Sequence, residues 1–198
     1  SSHGPRGFNY FDVADDTFLV NSFAPHICLN YCRETEGKCS FVFLSSVKSF
    51  DHKLHQKVGD NPWHCRNASD LYSRSKIIVE NSIEFYRQIY GVNSSVVWLS
   101  NHESIKRINS NYFLPNLVKK CYQALDHGEG KINVRTLDFY CDWGCADQFM
   151  KIIAERAIRK INNDLFIGTS EFVYARDLVR EFLDTLGYNY ENIILEEI

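Results

Sequence analysis

The sequence predicts an α/β fold built on a parallel sheet. Two observations carry this. Short, continuously apolar runs occur at residues 39–46 (CSFVFLSS) and 94–100 (SSVVWLS), the pattern of buried strands rather than of strands with one wet face. Between them, from Asp70 to Tyr90, apolar residues recur every three or four positions and the run stops at Gly91. That is a helix long enough to connect two parallel strands.

The elements follow in order. Residues 14–33 form a predicted helix, with Pro25 as the site of a kink. Residues 39–46 are the first strand. The polar stretch after it, with several histidines and Pro62, is a loop by composition. The helix from Asp70 to Tyr90 is the strongest, carried by Leu71, Ser75, Ile78, Val79, Ile83, Tyr86 and Tyr90. Residues 94–100 are the second strand. A helix over 114–125 closes at Asp126-His127-Gly128, and 133–139 is a strand. Then come a helix over 146–160, a strand over 164–168, a helix over 173–187 that ends in glycine, and a last strand over 192–196. Strands alternating with helices of this length argue for a parallel sheet. No internal repeat is visible. Beyond about residue 102 the strands shorten and the helices draw together.

Composition narrows the function classes. With 44% hydrophobic and 24% charged residues in 198, the chain is an ordinary globular one, neither fibrous nor disordered. A net charge of −3 gives no bulk attraction for nucleic acid. No apolar run approaches the ~18 residues that a membrane span needs, so no membrane partner is expected. The first seven residues contain no apolar signal core and no initiator Met, as expected of a processing site or a fragment edge. Seven cysteines cannot all pair. None has CxxC spacing, although Cys28/Cys32 and Cys141/Cys145 are four apart, which on a helix puts two thiols on one face. No four-ligand His/Cys cluster suggests a metal. Reduced, buried cysteines in an intracellular, cytoplasmic setting are expected. The ten glycines form no Gly-x-Gly-x-x-Gly or P-loop, so a phosphate-gripping turn is not encoded in these residues.

The chemistry-bearing constellation is Tyr72-Ser73-Arg74-Ser75-Lys76. Tyr and Lys at i, i+4 stack on one helix face. An ammonium beside a phenol favours the phenolate and brings its proton exchange nearer neutral pH. Upstream, a buried strand ends in Ser45-Ser46; downstream, another strand follows.

This strand–Ser–helix–strand order resembles the extended short-chain dehydrogenase/reductase family, and within it the GDP-mannose 4,6-dehydratases. The matching pieces are Ser2-His3, Phe43-Leu44-Ser45-Ser46, the YxxxK of Tyr72 and Lys76, Asn101-His102-Glu103-Ser104, and Asp142-Trp143-Gly144 with Ala146 and Asp147. Phe166-Ile167-Gly168-Thr169 and Val179-Arg180-Glu181-Phe182, ending in Leu186-Gly187, resemble the last core strand and helix. The resemblance implies a partial Rossmann-like doubly wound parallel sheet, its C-terminal half, with a small α/β substrate-domain remnant. Residues 1–101 would be the remnant of the NAD(P)-binding domain carrying the Ser/Tyr/Lys motif. Residues 102–198 would be the interleaved substrate-binding region with the last core strand and helix. It further implies that Ser46 binds the sugar O4, that Tyr72 transfers the proton, and that Lys76 assists it and holds the cofactor ribose. Asn101 and His102 would line the nicotinamide and sugar site. Arg107 would stand in a basic loop that reaches an adjacent subunit's cofactor, and Asp142 would shape the nucleotide-sugar site.

Three departures set limits. The Gly-rich turn is absent from these residues. The family carboxylate two residues after the catalytic hydroxyl, which works as acid/base in removing water, is replaced by Lys48, and Asp51 is too far along to restore the spacing. Cys141 stands where the family has an arginine before D-W-G, and the basic loop reads Lys106-Arg107-Ile108 without its glycine. The expected function is therefore a dehydratase-like protein, catalytically degenerate, acting as a structural or interaction subunit of a larger assembly. The alternatives are an active NADP-dependent nucleotide-sugar 4,6-dehydratase, a lyase, whose N-terminal half is on another or cleaved chain, or a nucleotide-sugar epimerase, reductase or binding module. NADP is the cofactor if the protein is active, with none in the degenerate reading. Another polypeptide is expected over the Phe41/Phe43 sheet edge, and oligomerisation through the helix from Asp70 to Tyr90.

Overall fold

The computed structural model describes residues 14–50, 70–107, 112–127, 131–134 and 136–196. Ser2, His3, Asp51, Cys65 and Ile108 lie outside the described residues.

The predicted first helix is three pieces in one: α1 (Ala14–Phe18), a π turn (Leu19–Phe23) and α2 (Ala24–Glu34). Pro25 has no N–H to give and its ring needs room. The wide turn just before it supplies that room, with Ala24 N–H reaching back to the Leu19 carbonyl. The helix is thus widened at the proline, not broken. Then come β1 (Phe41–Ser46), a 3₁₀ turn (Val47–Ser49) and α3 (Leu71–Tyr90). Asp70 caps α3 by accepting the Ser73 N–H and hydroxyl, both at 2.9 Å. Gly91, at φ +64°, ends it in the left-handed region that glycine enters without Cβ strain. β2 (Ser94–Leu99) and β3 (Asn101–Glu103) follow, then α4 (Phe113–His127), β4 (Ile132–Val134), β5 (Tyr140–Cys141), β6 (Trp143–Cys145) and α5 (Ala146–Ile158). The chain closes with β7 (Leu165–Ile167), β8 (Val173–Tyr174), α6 (Ala175–Thr185), α7 (Tyr190–Ile193) and β9 (Ile194–Glu196).

Two compact units emerge, and residues 148–167 return to the first after the chain has entered the second. In the first, β1, β2 and β7 form a parallel sheet in that order. Phe41 pairs with Ser94 and Ser46 with Leu99, and β7 joins with Leu165 opposite Val97. Alternation along the strands feeds two cores. Phe43, Val96 and Trp98 pack with Leu29, Val79 and Ile83 of α2 and α3. Val97, Leu99 and Ile167 pack with Phe149 and Ile153 of α5. Helices cover both faces of a parallel sheet, which is the doubly wound arrangement.

The second unit holds three two-stranded pairings: β3 with β6 and β4 with β9, both parallel, and β5 with β8, antiparallel. Its core joins Leu117 and Cys121 of α4 to Val179 and Leu183 of α6 around Leu137. Trp143 stacks on Phe113 with ring centroids 5.7 Å apart.

The structure changes several predicted elements. The strand expected over 133–139 ends at Val134, because Thr136 accepts the Asp138 N–H in a side-chain turn (3.1 Å). The helix expected from Val173 begins at Ala175, since Val173 and Tyr174 pair with Cys141 and Tyr140. The strand expected over 192–196 begins at Ile194, after a single helical turn that Asn189 caps. Cys141 and Cys145 lie on strands, not on one helix face. Among the described residues, no helix is long and apolar enough to cross a membrane.

Candidate functional site

Strand alternation decides which serine at the end of β1 faces α3. Ser45 is buried on the Phe43 side, and its hydroxyl donates to the Glu80 carboxylate. Ser46 is half-buried at the strand's last position, and its Oγ accepts the Lys48 N–H at 3.2 Å, capping the 3₁₀ turn. Lys48 therefore stands in the turn that Ser46 opens, half-buried.

Tyr72 and Lys76 lie one turn apart at the start of α3, and Lys76 reaches back to the same strand. Lys76 Nζ donates to the Leu44 carbonyl at 3.1 Å, two residues before Ser46. The ammonium also lies 4.9 Å from the Phe43 ring centroid and 5.7 Å from that of Tyr72. Burial pushes the Lys76 amine below its ordinary range, and the charge of Glu80 pushes back. Lys76 thus bridges the Tyr72 ring and the strand that ends in Ser46. One of the three ammonium hydrogens goes to Leu44; the others suit a diol or hydroxyl acceptor. That donor set fits the ribose of a nicotinamide dinucleotide. The Gly-rich turn that would hold its pyrophosphate is not encoded in these residues.

Glu80, one turn beyond Lys76, escaped the sequence reading. It is fully buried, and its Oε1 accepts from the Ser49 hydroxyl and the Trp98 indole N–H, both at 3.0 Å, as well as from Ser45. The available signal was the i, i+4 ladder Tyr72–Lys76–Glu80, which puts a carboxylate among the core-facing residues of α3.

Asn101, His102, Arg107 and Asp142 all lie in the second unit. Asn101 and His102 pair with Trp143 and Gly144 across β3 and β6, and the Asn101 amide donates to the Cys141 thiol. Asp142 binds the turn at 169–170: it accepts the N–H groups of Thr169 and Ser170 and the Thr169 hydroxyl (2.7 Å). Arg107 pairs with Glu103 at 3.5 Å and lies over the Tyr112 ring. Trp143 is packed among aromatics. Among the described residues, no group of three or more His, Cys, Asp and Glu could hold a metal ion.

Comparison with known proteins gives the geometry a context. A family profile described as GDP-mannose 4,6 dehydratase matches residues 9–196. No curated protein matches the sequence significantly. Among solved structures, RMD from Pseudomonas aeruginosa, complexed with NADPH, superposes with a TM-score of 0.76 at 14% identity, covering 95% of this chain and 65% of that one. The dTDP-glucose 4,6-dehydratase of Bacillus anthracis, in complex with NAD, gives 0.74 at 15% identity, covering 91% and 57%. A UDP-N-acetylglucosamine 4-epimerase from Methanobrevibacter ruminantium, in complex with UDP-N-acetylmuramic acid, gives 0.68 at 17%, covering 90% and 56%. The chain thus spans between 56% and 65% of the length of these three structures. At these identities the likeness shows the fold alone, a Rossmann-like α/β fold.

Proposed function

This chain belongs to the GDP-mannose 4,6-dehydratase family, and from that premise we propose that it is a degenerate dehydratase, with the proton-transfer pair kept and the water-removing group lost. The observation that carries this is the turn after β1. The Ser46 hydroxyl caps it, and the residue two positions on is Lys48. An ammonium there cannot take a proton from carbon as a carboxylate would. Glu80 is no substitute, because it is fully buried and engaged by Ser45, Ser49 and Trp98.

The remaining roles belong to the same proposal. Ser46 would donate to the sugar oxygen at C4, and Tyr72 would take the proton from that oxygen. Lys76, anchored on Leu44, would favour the tyrosinate and bind the ribose. A bound nicotinamide cofactor, NADP in this reading, supplies hydride acceptance and return. Asn101, His102 and Asp142 are proposed to line the sugar and nucleotide side, and Arg107 to reach an adjacent subunit's cofactor. Redox at C4 needs no carboxylate, so a nucleotide-sugar epimerase or reductase is the second reading, and the fold likeness to a 4-epimerase favours it. The phosphate-gripping turn is proposed to come from outside these residues.

An interaction role fits the surface. Val20, Phe23, Ile27 and Tyr31 of the N-terminal helix and Ile78, Phe85 and Ile89 of α3 are exposed large apolar side chains. Self-association through α2 and α3 would cover them. Among the described residues β1 is an edge strand, and a strand from another polypeptide is proposed to pair with it. The test is turnover of GDP-mannose with NADP⁺ by the assembled protein. Reduction of the cofactor without a 6-deoxy product, or no turnover, agrees with the proposal. Sustained formation of the 4-keto-6-deoxy sugar overturns it.

A further inference from the structure

We propose that Glu80 is the positioning residue of the Ser46–Tyr72–Lys76 group, its carboxylate binding the turn after β1, the indole of β2 and the lysine turn of α3 into one unit. This rests on reading those three residues as the proton-transfer group.

Glu80 touches three elements at once. Ser45 and Ser49, which donate to it, bracket Ser46 and the 3₁₀ turn, and their hydroxyls are themselves 3.3 Å apart. Fixing both ends of that turn fixes the hydroxyl between them. Trp98 donates from the neighbouring strand. Three donors converge on one oxygen, the arrangement that an ionised carboxylate takes. Packing alone would be served by an aliphatic residue here, since Val79 and Ile83 are buried in the same core. A buried carboxylate is costly unless hydrogen bonds and an opposite charge compensate it, and Lys76, one turn away, is that charge. The pair is reciprocal: the carboxylate holds Lys76 cationic against the burial that would strip its proton. A cationic Lys76 is what biases Tyr72 toward the phenolate. Among the described residues, Tyr72 and Glu80 on α3 are the titratable groups that face Lys76. Lys48 is on the turn after β1, and β1 contributes Phe43 and the Leu44 carbonyl. On α2, His26 and Arg33 meet Tyr86 and Tyr90, several turns away.

The test uses the full chain and needs neither cofactor nor substrate. Glu80→Gln keeps an acceptor and removes the charge. In a folded Glu80→Gln variant, checked by circular dichroism, the NMR titration midpoint of the Lys76 amine should fall by about one pH unit. The Trp98 indole N–H resonance, assigned by its loss in Trp98→Phe, should move upfield. An unchanged Lys76 midpoint overturns the proposal. Should Glu80→Gln not fold, the Ser45→Ala/Ser49→Ala variant keeps the charge but frees the turn. Exchange of the Lys48 amide, which is bonded to Ser46, should then accelerate about tenfold, and unchanged exchange overturns the proposal. If wild type sustains formation of the 4-keto-6-deoxy sugar while these readouts move, the degenerate reading fails and the Glu80 clamp stands.

Discussion

Removing Asp164 should reveal how α3 is tied to the sheet. The carboxylate, just before β7, accepts both terminal nitrogens of Arg87 (Nη1 at 3.0 Å) and the Val96 N–H of β2 at 2.7 Å. The two side chains are 26% and 15% exposed. Asp164→Ala therefore deletes a fork-shaped ion pair and a charge-assisted bond to the strand backbone. It leaves a half-buried guanidinium whose Nε has no hydrogen-bond partner among the described residues. Each charge-assisted bond contributes about 1.5–3 kcal/mol, and stranding one member of a buried pair costs about 3–5 kcal/mol. Water reaching Arg87 recovers part of that, so about 3 kcal/mol is expected, or roughly 6–12 °C in a chain of this size. Arg87→Ala should cost about 2 kcal/mol, because Asp164 keeps the Val96 N–H. The double variant should cost about 3 kcal/mol, giving a coupling of about 2 kcal/mol. Urea unfolding followed by tryptophan fluorescence measures all three. Single losses that simply add, or an Asp164→Ala cost within about 0.5 kcal/mol of zero, would refute the reasoning.

Other outcomes can be checked alongside. Tyr72→Phe should lower any C4 redox activity by about 10²–10⁴ without moving the unfolding midpoint. Lys76→Met should abolish that activity and also lower the urea unfolding midpoint at pH 7, since it leaves the buried Glu80 carboxylate without its opposite charge. The Cys121 thiol, buried in the α4 core, is pushed up to about 11. Its contribution is complete below the unfolded thiol's value near 9 and is lost as pH rises through about 11, some 2–3 kcal/mol in all. In Cys121→Ala the alkaline loss of stability between those pH values should be shallower by that amount, and an identical pH slope would count against the assignment. Gly91→Ala meets nothing within 4 Å but must adopt φ +64°, so it should cost about 1 kcal/mol of strain in thermal unfolding.

Much of the first unit was legible in the sequence because its signals are local. CSFVFLSS and SSVVWLS are buried strands, and α3 carries its own start at Asp70 and stop at Gly91. Tyr72 and Lys76 share a face by helix geometry alone. Pairings of two or three residues were not legible. Asn101–Glu103 is polar, and Tyr140–Cys141 becomes a strand only by finding Val173–Tyr174 far along the chain. Nor was the overreach at 133–139, where one threonine hydroxyl ends the strand. Glu80 escaped for a different reason. A lone glutamate on a helix reads as solvent-facing, and only the convergence of Ser45, Ser49 and Trp98 makes it a core group.

The π turn at Leu19–Phe23 contains no buried residue, yet it governs more than its own surroundings. Ser22, within it, donates to the carbonyl of Ser75 at 2.9 Å, and Ser75 sits between Tyr72 and Lys76. Deleting one residue from those five would restore ordinary winding and remove the wide turn that presents Ser22 to the Ser75 carbonyl. The hydrophobic interior would scarcely notice. The gain or loss of a single codon in this stretch would be felt first at the tyrosine–lysine pair, which makes the residue count of a surface helix a setting for chemistry on its neighbour.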